Sequence, residues 1–244
     1  METKRTTKEW LIIMRRELSS YYSSPIAYIV GALFLLFSGF LFFSTFFLAG
    51  RANLRYFFQV LPVLFSFFIP AMTMRVFSEE KRSGSMETLV TLPVGTADIV
   101  MGKYLSCVVS AVLLLVPTLF YVVTCAVFAS APLDAGPIIG GYIGALLLAA
   151  AFCAIGVFFS SVTKNQIVAF FAAFAVCICL TMLSSFAILL PGTLAGVAEA
   201  LSSSSRFNSI SRGIVDSRDV LYFLSLIAAF VALTVKSVSD SKKG

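Results

Sequence analysis

The residues that could do chemistry in this chain of 244 residues are few and unevenly placed. The most concentrated ionic group is the segment SEEKRSGSMETLV, residues 78–90, in which two acids and two bases precede an apolar stretch. Charges in this arrangement orient the binding of a protein partner or of anionic lipid headgroups. The chain has no histidine, so the commonest metal ligand and general base is missing.

Cysteines are the other reactive residues, and they lie in or beside apolar runs: Cys107, Cys125, Cys153, Cys177 and Cys179. The last two form a C-x-C pair, but residues two apart on a helix point about 200° apart and cannot clasp one metal. We therefore predict that the cysteines are small packing residues. No G-x-x-x-x-G-K-[ST] motif is present, so no P-loop binds nucleotide. No catalytic, cofactor-binding or metal-binding residue is predicted.

The composition identifies the elements that position these residues. Apolar residues make up 59% of the chain and charged residues 12%, against about 45–50% and about 25% in soluble domains. Runs of about 20 apolar residues span a bilayer as helices. The sequence predicts six such spans, with a kink at Pro117 in the third: Ile26–Ala49, Phe58–Val76, Ile99–Ala129, Pro137–Ser160, Ile167–Leu190 and Val220–Val235.

Residues 1–25 precede the first span and contain an amphipathic pattern. The stretch KEWLIIMRRELSSYY places one apolar stripe along a helix, made of Trp10, Met14, Leu18 and Tyr21. Tryptophan and tyrosine favour the headgroup level, and the pair Arg15 and Arg16 suits anionic lipid. We predict an interfacial helix that turns into the first span at Pro25. A cytosolic tail helix is the alternative.

The distribution of Lys and Arg gives the orientation. With the N-terminus inside, thirteen of the 18 basic residues fall in the cytoplasm and five fall outside. Both termini are therefore expected in the cytoplasm, together with a loop at 78–98 and a tail at 238–244, while residues 191–219 lie outside. A nucleic-acid partner is not expected, because the basic residues follow this asymmetry and do not form one face of a folded domain.

The loop at 78–98 contains a pattern for a short helix. Ser83 or Ser85 could cap it, and Glu87 would lie in its first turn, where an acid meets the positive end of the dipole. Pro93 ends it, and one face carries Met86, Leu89 and Val90. So short a helix is marginal alone in water, so a partner must pack on it. That partner is the bilayer surface, this protein or another subunit.

The segment 191–219 contains two short apolar patterns separated by the serine run Ser202–Ser205. The first consists of Leu194, Val197, Ala198 and Leu201, and the second of Phe207, Ile210 and Ile214. We predict segments that lie on the outer leaflet or dip into it. For the charged residues here, an ordinary solvated loop with internal ion pairs is the alternative.

These residues carry a resemblance to a family. Residues 77–105, FSEEKRSGSMETLVTLPVGTADIVMGKYL, closely resemble the signature region of ABC type-2 permeases. Residues 206–226, RFNSISRGIVDSRDVLYFLSL, resemble the gliding-motility permease branch. The resemblance covers essentially the whole chain. It implies the type-2 ABC exporter fold, an all-α membrane protein of six transmembrane helices with an N-terminal interfacial helix, a cytoplasmic coupling helix and re-entrant helices before the last span.

The resemblance also implies roles for particular residues. In the family, the segment between the second and third spans is the coupling helix, which docks on a separate ATPase. The matching positions are Glu79, Glu80, Lys81, Arg82, Gly84, Met86, Glu87, Leu89 and Leu92. Ser85 stands where threonine is frequent. Re-entrant helices close the outer end of the pathway, which implies an exit gate or a partner contact at Arg206, Phe207, Asn208, Arg212, Asp216 and Arg218.

The function that the resemblance implies is that of a permease subunit of an ATP-driven exporter in the bacterial inner membrane. Its partners would be ABC ATPase subunits that hold the ATP and Mg, a second permease copy or homologue, membrane lipid and an auxiliary extracytoplasmic protein. Two alternatives are a scaffold or signalling subunit that moves no substrate, and an ion-coupled secondary carrier. The absence of charges near the middle of the spans argues against the carrier.

Overall fold

The computed structural model describes residues 6–49, 54–85, 94–128, 134–187, 193–214 and 216–241. All the regular elements in these ranges are helical, which confirms the all-α class. In chain order they are α1 Thr6–Ser23, α2 Pro25–Ala49, α3 Arg55–Thr73, α4 Ser78–Ser83, α5 Thr96–Leu115, α6 Leu119–Phe128, α7 Ala135–Val162, α8 Gln166–Ala187, α9 Thr193–Leu201, α10 Ser203–Ser211 and α11 Ser217–Ser241.

Six helical stretches of the described residues are long and apolar enough to cross a membrane, and they coincide with the six predicted spans. They are Pro25–Phe46, Arg55–Ser83, Thr96–Phe128, Ala135–Val162, Gln166–Ala187 and Ser217–Ser241. The third stretch has 33 residues and is interrupted by a 3-10 turn at Val116–Thr118. Pro117 removes a backbone donor there, at the position predicted for a kink.

The bundle has two ends with different contents. One end holds α1, α4 and the turn between α7 and α8, and we call it the Lys103 end. The other holds α9 and α10, which contact each other and α8, and we call it the Arg206 end. The six spans run back and forth between these ends.

Helix α7 lies at the centre of the bundle and contacts α3, α5, α8, α10 and α11. Its small residues permit this close packing. A Cβ added at Gly156 would lie 1.9 Å from the Thr73 Oγ1 atom, and one at Gly144 would lie 3.1 Å from the Phe207 ring. Both ends of the bundle are therefore tied to this helix.

Helix α1 packs along α5. At the crossing, a Cβ added at Gly102 would lie 2.8 Å from both Ile13 and the Trp10 carbonyl oxygen. The predicted apolar stripe is half-buried in this contact, whereas Leu11 and Ile12 remain exposed on the outer face. The helix is thus part of the folded bundle as well as amphipathic.

The cysteines have the surroundings predicted for packing residues. Cys107, Cys125, Cys153 and Cys177 are buried thiols, and Cys179 is exposed. Cys177 and Cys179 therefore point in different directions, as the helical spacing predicted. No group of three metal-binding side chains occurs among the described residues.

We predict that Gly156→Val destabilises the protein by about 1–3 kcal/mol, because the new side chain would overlap Thr73 at the crossing of α3 and α7. The measurement is the thermal melting temperature in detergent, followed by size-exclusion chromatography. Gly196→Ala in α9 is the control, since an added Cβ there meets no atom within 4 Å. Equal melting temperatures for the two variants would contradict the predicted close contact.

Candidate functional site

The corner between α3 and α4 is fixed by one side chain of α7. The Ser160 hydroxyl accepts hydrogen bonds from the backbone N–H groups of Phe77 and Ser78, at 3.0 and 3.1 Å, and donates one to the Met74 carbonyl oxygen at 3.0 Å. The N-terminal N–H groups of a helix have no partner within that helix. Ser160 therefore does the work of a helix cap and attaches α4 to the central helix.

Helix α4 begins at Ser78 and precedes the short helix that Ser83 or Ser85 was predicted to cap, most of which lies outside the described residues. Ser83 is the last residue of α4, and Gly84 follows in the left-handed conformation at φ 77°. The helix forms because its acids, Glu79 and Glu80, lie in the first turn and its bases in the last, which favours the helix dipole. The other predicted residues of this segment, Met86, Glu87, Leu89 and Leu92, lie outside the described residues.

Lys103 of α5 is the most buried charged residue of this region, with no exposed surface. Its Nζ atom lies 3.0 Å from Glu17 Oε1 of α1 and 2.8 Å from Glu80 Oε1 of α4. It also donates to the Val76 carbonyl oxygen at 3.0 Å and lies 5.1 Å from the centre of the Phe77 ring. We call these five residues the Lys103 cluster. The cluster joins three helices through one ammonium group.

The electrostatics of the Lys103 cluster are unbalanced. A buried charge is tolerated only when it is paired and hydrogen-bonded, and Lys103 meets this condition. Two carboxylates share that one ammonium, however, and Glu80 Oε2 is buried with no hydrogen-bond partner in the described part of the chain. The cluster therefore contains two carboxyl groups for one ammonium group.

The remaining charges of this segment point to different helices. Arg75 forms a two-pronged ion pair with Glu79, with bonds of 2.9 and 3.0 Å, and also donates to Ser24 Oγ at 3.2 Å. Lys81 donates to the Ser161 carbonyl oxygen of α7 and lies 3.4 Å from the Ser241 hydroxyl of α11. Arg82 is exposed. Of the four charged residues of α4, Arg82 is thus the one that forms no ion pair or side-chain hydrogen bond in the described part of the chain.

The Arg206 end contains a second ion pair. Arg206 Nη1 lies 2.9 Å from Asp219 Oδ1, and Asp219 is buried at the start of α11. Arg206 also donates to the Ala200 carbonyl oxygen at 3.3 Å, and the Tyr222 hydroxyl donates to the Leu201 carbonyl oxygen at 2.7 Å. These bonds hold α9 and α10 against the last span.

The break predicted at the serine run falls at Ser202, between α9 and α10, while Ser203–Ser205 form the first turn of α10. Ser202 is the N-cap of α10 and its hydroxyl accepts from the Ser205 N–H, so the run starts a helix. The helix then places Phe207 and Ile210, both fully buried, against α7. Ile214 remains exposed. The second apolar pattern therefore enters the protein with two of its three residues.

The other predicted residues of this region do not converge on Arg206 and Phe207. Arg212, Asp216 and Arg218 are exposed, and Asn208 is half-buried, 3.5 Å from Ser204 Oγ. The structure therefore brings together Arg206 and Asp219, with Phe207 packed inside, and leaves three charged residues on the surface of this end.

Two charged residues of the Lys103 cluster were missed as site residues by sequence reasoning. Lys103 counted only toward orientation, and Glu17 was not singled out. A signal was present, because Lys103 is the sole charged residue between Ile99 and Phe128. A lone charge at the start of an apolar helix needs a partner, but the sequence could not say which acid supplies it.

The comparison with known families decides the class of the protein. The profile of the family described as ABC-2 family transporter protein matches residues 26–243. The chain belongs to this family. It is therefore a multi-pass membrane protein and a permease component of an ABC transporter, and its family implies partnership with an ABC ATPase. No curated protein matched the chain.

We predict that Lys103→Met destabilises this ABC-2 permease by about 3–5 kcal/mol, because two half-buried carboxylates lose their cation. The measurement is the melting temperature in detergent. Lys164→Met is the matched control, because Lys164 is exposed. Adding Glu17→Gln and Glu80→Gln to Lys103→Met should restore part of the loss, since it removes both charges. A triple variant less stable than the single one would contradict this account.

We predict that Arg206→Met lowers stability by about 1–3 kcal/mol, because it leaves the buried Asp219 carboxylate without its charged partner. Thermal melting compared with Arg218→Met, which removes an exposed arginine twelve residues further along, measures the effect. The prediction is wrong if the two variants have the same melting temperature.

Proposed function

We propose that this permease works as half of an ATP-driven exporter, in which a separate ATPase presses on α4 and the segment that follows it. The observation that supports this most is the attachment of α4. A helix of six residues is bonded to α1 and α5 through Lys103, to α7 through Ser160 and to α7 and α11 through Lys81. Movement of α4 would reach four long helices at once.

The proposed docking surface is the exposed end of α4. Arg82, Ser83, Gly84 and Ser85 are exposed there, while Glu80 and Lys81 are turned inward. Charged groups at the edge of such a surface set the orientation of binding, and apolar residues form its buried centre. The predicted apolar residues Met86, Leu89 and Leu92 follow directly in the sequence. A charged edge followed by apolar residues suits a small docking surface for an ATPase.

The proposal requires two conformations. A partner that bound α4 equally well in both would shift no equilibrium, so the ATPase must contact it differently before and after ATP binding. Because α4 is bonded to α7, and α7 also packs against Phe207 of α10, one helix connects the two ends. We propose that this helix carries the movement from the docking surface to the outer end.

The orientation follows from the basic residues, and we propose that the Lys103 end lies in the cytoplasm of a bacterial inner membrane. The pairing of two permease copies, the direction of export, a role for α9 and α10 as an outer gate, and the gliding-motility branch with its auxiliary extracytoplasmic protein are proposals that rest on the resemblance. The Arg206–Asp219 pair supports the gate, since it fastens α10 to the last span.

A secondary carrier is the weaker proposal. Such carriers usually need ionisable groups or broken helices near the middle of the membrane. The fully buried charged residues of the described chain are Lys103 and Asp219, and each lies near an end of the bundle in an ion pair. A scaffold subunit shares the docking surface, so only a transport measurement separates it from the exporter.

The test is transport in proteoliposomes that contain the permease and its ATPase, with ATP hydrolysis measured alongside. We expect cargo movement that needs ATP and the ATPase, and Arg82→Glu should reduce co-purification of the ATPase about tenfold, a change of about 1.4 kcal/mol. Arg218→Glu at the opposite end is the control. Glu80→Lys is a poorer choice, because Glu80 belongs to the Lys103 cluster.

The outcomes distinguish the alternatives. Cargo movement driven by an ion gradient without the ATPase would establish the carrier. ATP hydrolysis without cargo movement would favour the scaffold. Undiminished co-purification of the ATPase with Arg82→Glu, at an unchanged melting temperature, would place the docking surface elsewhere.

A further inference from the structure

A cavity of about 190 Å³ lies at the Lys103 end, between α1, the start of α2, the end of α3 with α4, and α5. Arg16 and Ser20 are exposed at its outer edge, whereas Met72, Cys107 and Ser110 are buried at its inner end. The cavity therefore opens at the surface and extends into the bundle. Its volume exceeds that of one water molecule, about 30 Å³, several times.

The cavity lies at the depth of the lipid headgroups. Ser24, which lines it, directly precedes Pro25 at the start of the first span, and Arg75 follows the end of α3 by two residues. Tyr21 also lines it, and tyrosine favours the interface between water and lipid. The ligand most concentrated at this depth is a phospholipid headgroup.

The lining is polar and carries charges of both signs. Arg16 and Arg75 contribute guanidinium groups, and Glu17, Glu79 and Glu80 contribute carboxylates. The buried hydroxyls Ser106 and Ser110 donate to backbone carbonyl oxygens of α5, so their oxygens remain acceptors toward the cavity. Burial raises the pKa of the Tyr21 hydroxyl, which keeps it neutral. An apolar ligand would leave these groups without partners.

The cavity lining offers both a cation and carboxylates to a ligand, which suits a zwitterion. Arg75 is already bonded to Glu79, which leaves Arg16 as the guanidinium at the open edge of the cavity. Glu17 and Glu80 share the single ammonium of Lys103, and Glu80 Oε2 has no partner among the described residues. Arg16 therefore suits a phosphate, and the carboxylates suit one more ammonium.

We propose that this cavity binds the headgroup of phosphatidylethanolamine, with the phosphate at Arg16 and the primary ammonium beside Glu17 and Glu80. A primary ammonium donates three hydrogen bonds, which these carboxylates and the two serine hydroxyls accept. A choline headgroup carries no N–H donor, and a glycerol headgroup carries no positive charge. Phosphatidylethanolamine is therefore preferred over both. This site does not depend on ATP or on the transported cargo.

The test uses the full-length protein in nanodiscs that contain equal amounts of phosphatidylethanolamine, phosphatidylcholine and phosphatidylglycerol. After transfer to detergent, the lipids that stay bound are quantified by mass spectrometry. We expect phosphatidylethanolamine to be enriched about tenfold, the factor that corresponds to about 1.4 kcal/mol of charge-assisted hydrogen bonding. Arg16→Gln should abolish the enrichment, and the matched control Arg15→Gln, on the exposed neighbour, should preserve it.

Several results would overturn the proposal. Enrichment of phosphatidylglycerol would indicate an anion site, and equal retention of all three lipids, or equal loss in the two arginine variants, would indicate ordinary surrounding lipid. If Arg16→Gln does not fold, the wild-type protein decides the matter: its melting temperature should rise with phosphatidylethanolamine and not with phosphatidylcholine. If soluble glycerophosphoethanolamine at high concentration displaces no bound lipid, that result would also count against a headgroup site.

Discussion

The structure depends on how the helix bundle supplies ion-pair and hydrogen-bond partners to the Lys103 ammonium group, which has no exposed surface. A charge removed from water must be paired and hydrogen-bonded at the same time. Lys103 meets both demands with groups from separate parts of the chain, Glu17 of α1 and Glu80 of α4. The ammonium group thus adds to the packing of α1 on α5 and to the bonds between Ser160 and α4. Together these contacts fix the position of α4.

Uncharged hydroxyl groups within the spans also need hydrogen-bond partners. Hydroxyls inside an apolar bundle must find partners on the same or a neighbouring helix. Ser66 of α3 and Thr181 of α8 lie 3.1 Å apart, and so do Ser38 of α2 and Tyr121 of α6. Each pair also joins two spans at a set register. The bundle thus combines close packing at the glycines of α7 with a few directional bonds between helices.

The two ends of the bundle use ion pairs differently. At the Arg206 end one arginine meets one aspartate, and the charges balance. At the Lys103 end two carboxylates share one ammonium beside a polar cavity, and one carboxylate oxygen has no partner in the described residues. An ion pair with equal numbers of acids and bases holds two helices together. A cluster with more acids than bases can bind an added cation. For this reason we assign a structural role to the Arg206–Asp219 pair at the proposed gate, and ligand recognition to the Lys103 end.

The sequence by itself determined the six spans, the amphipathic α1 and the place of the polar segment, because each depends on local length and apolar periodicity. It also indicated that the loop at 78–98 holds the most concentrated charges of the chain. Only the tertiary structure decided what those charges do: Glu80 meets Lys103, and Ser160 caps α4 from 82 residues away. Such pairings join positions far apart in the chain, and no local pattern specifies which acid or hydroxyl a folded bundle brings to a buried group.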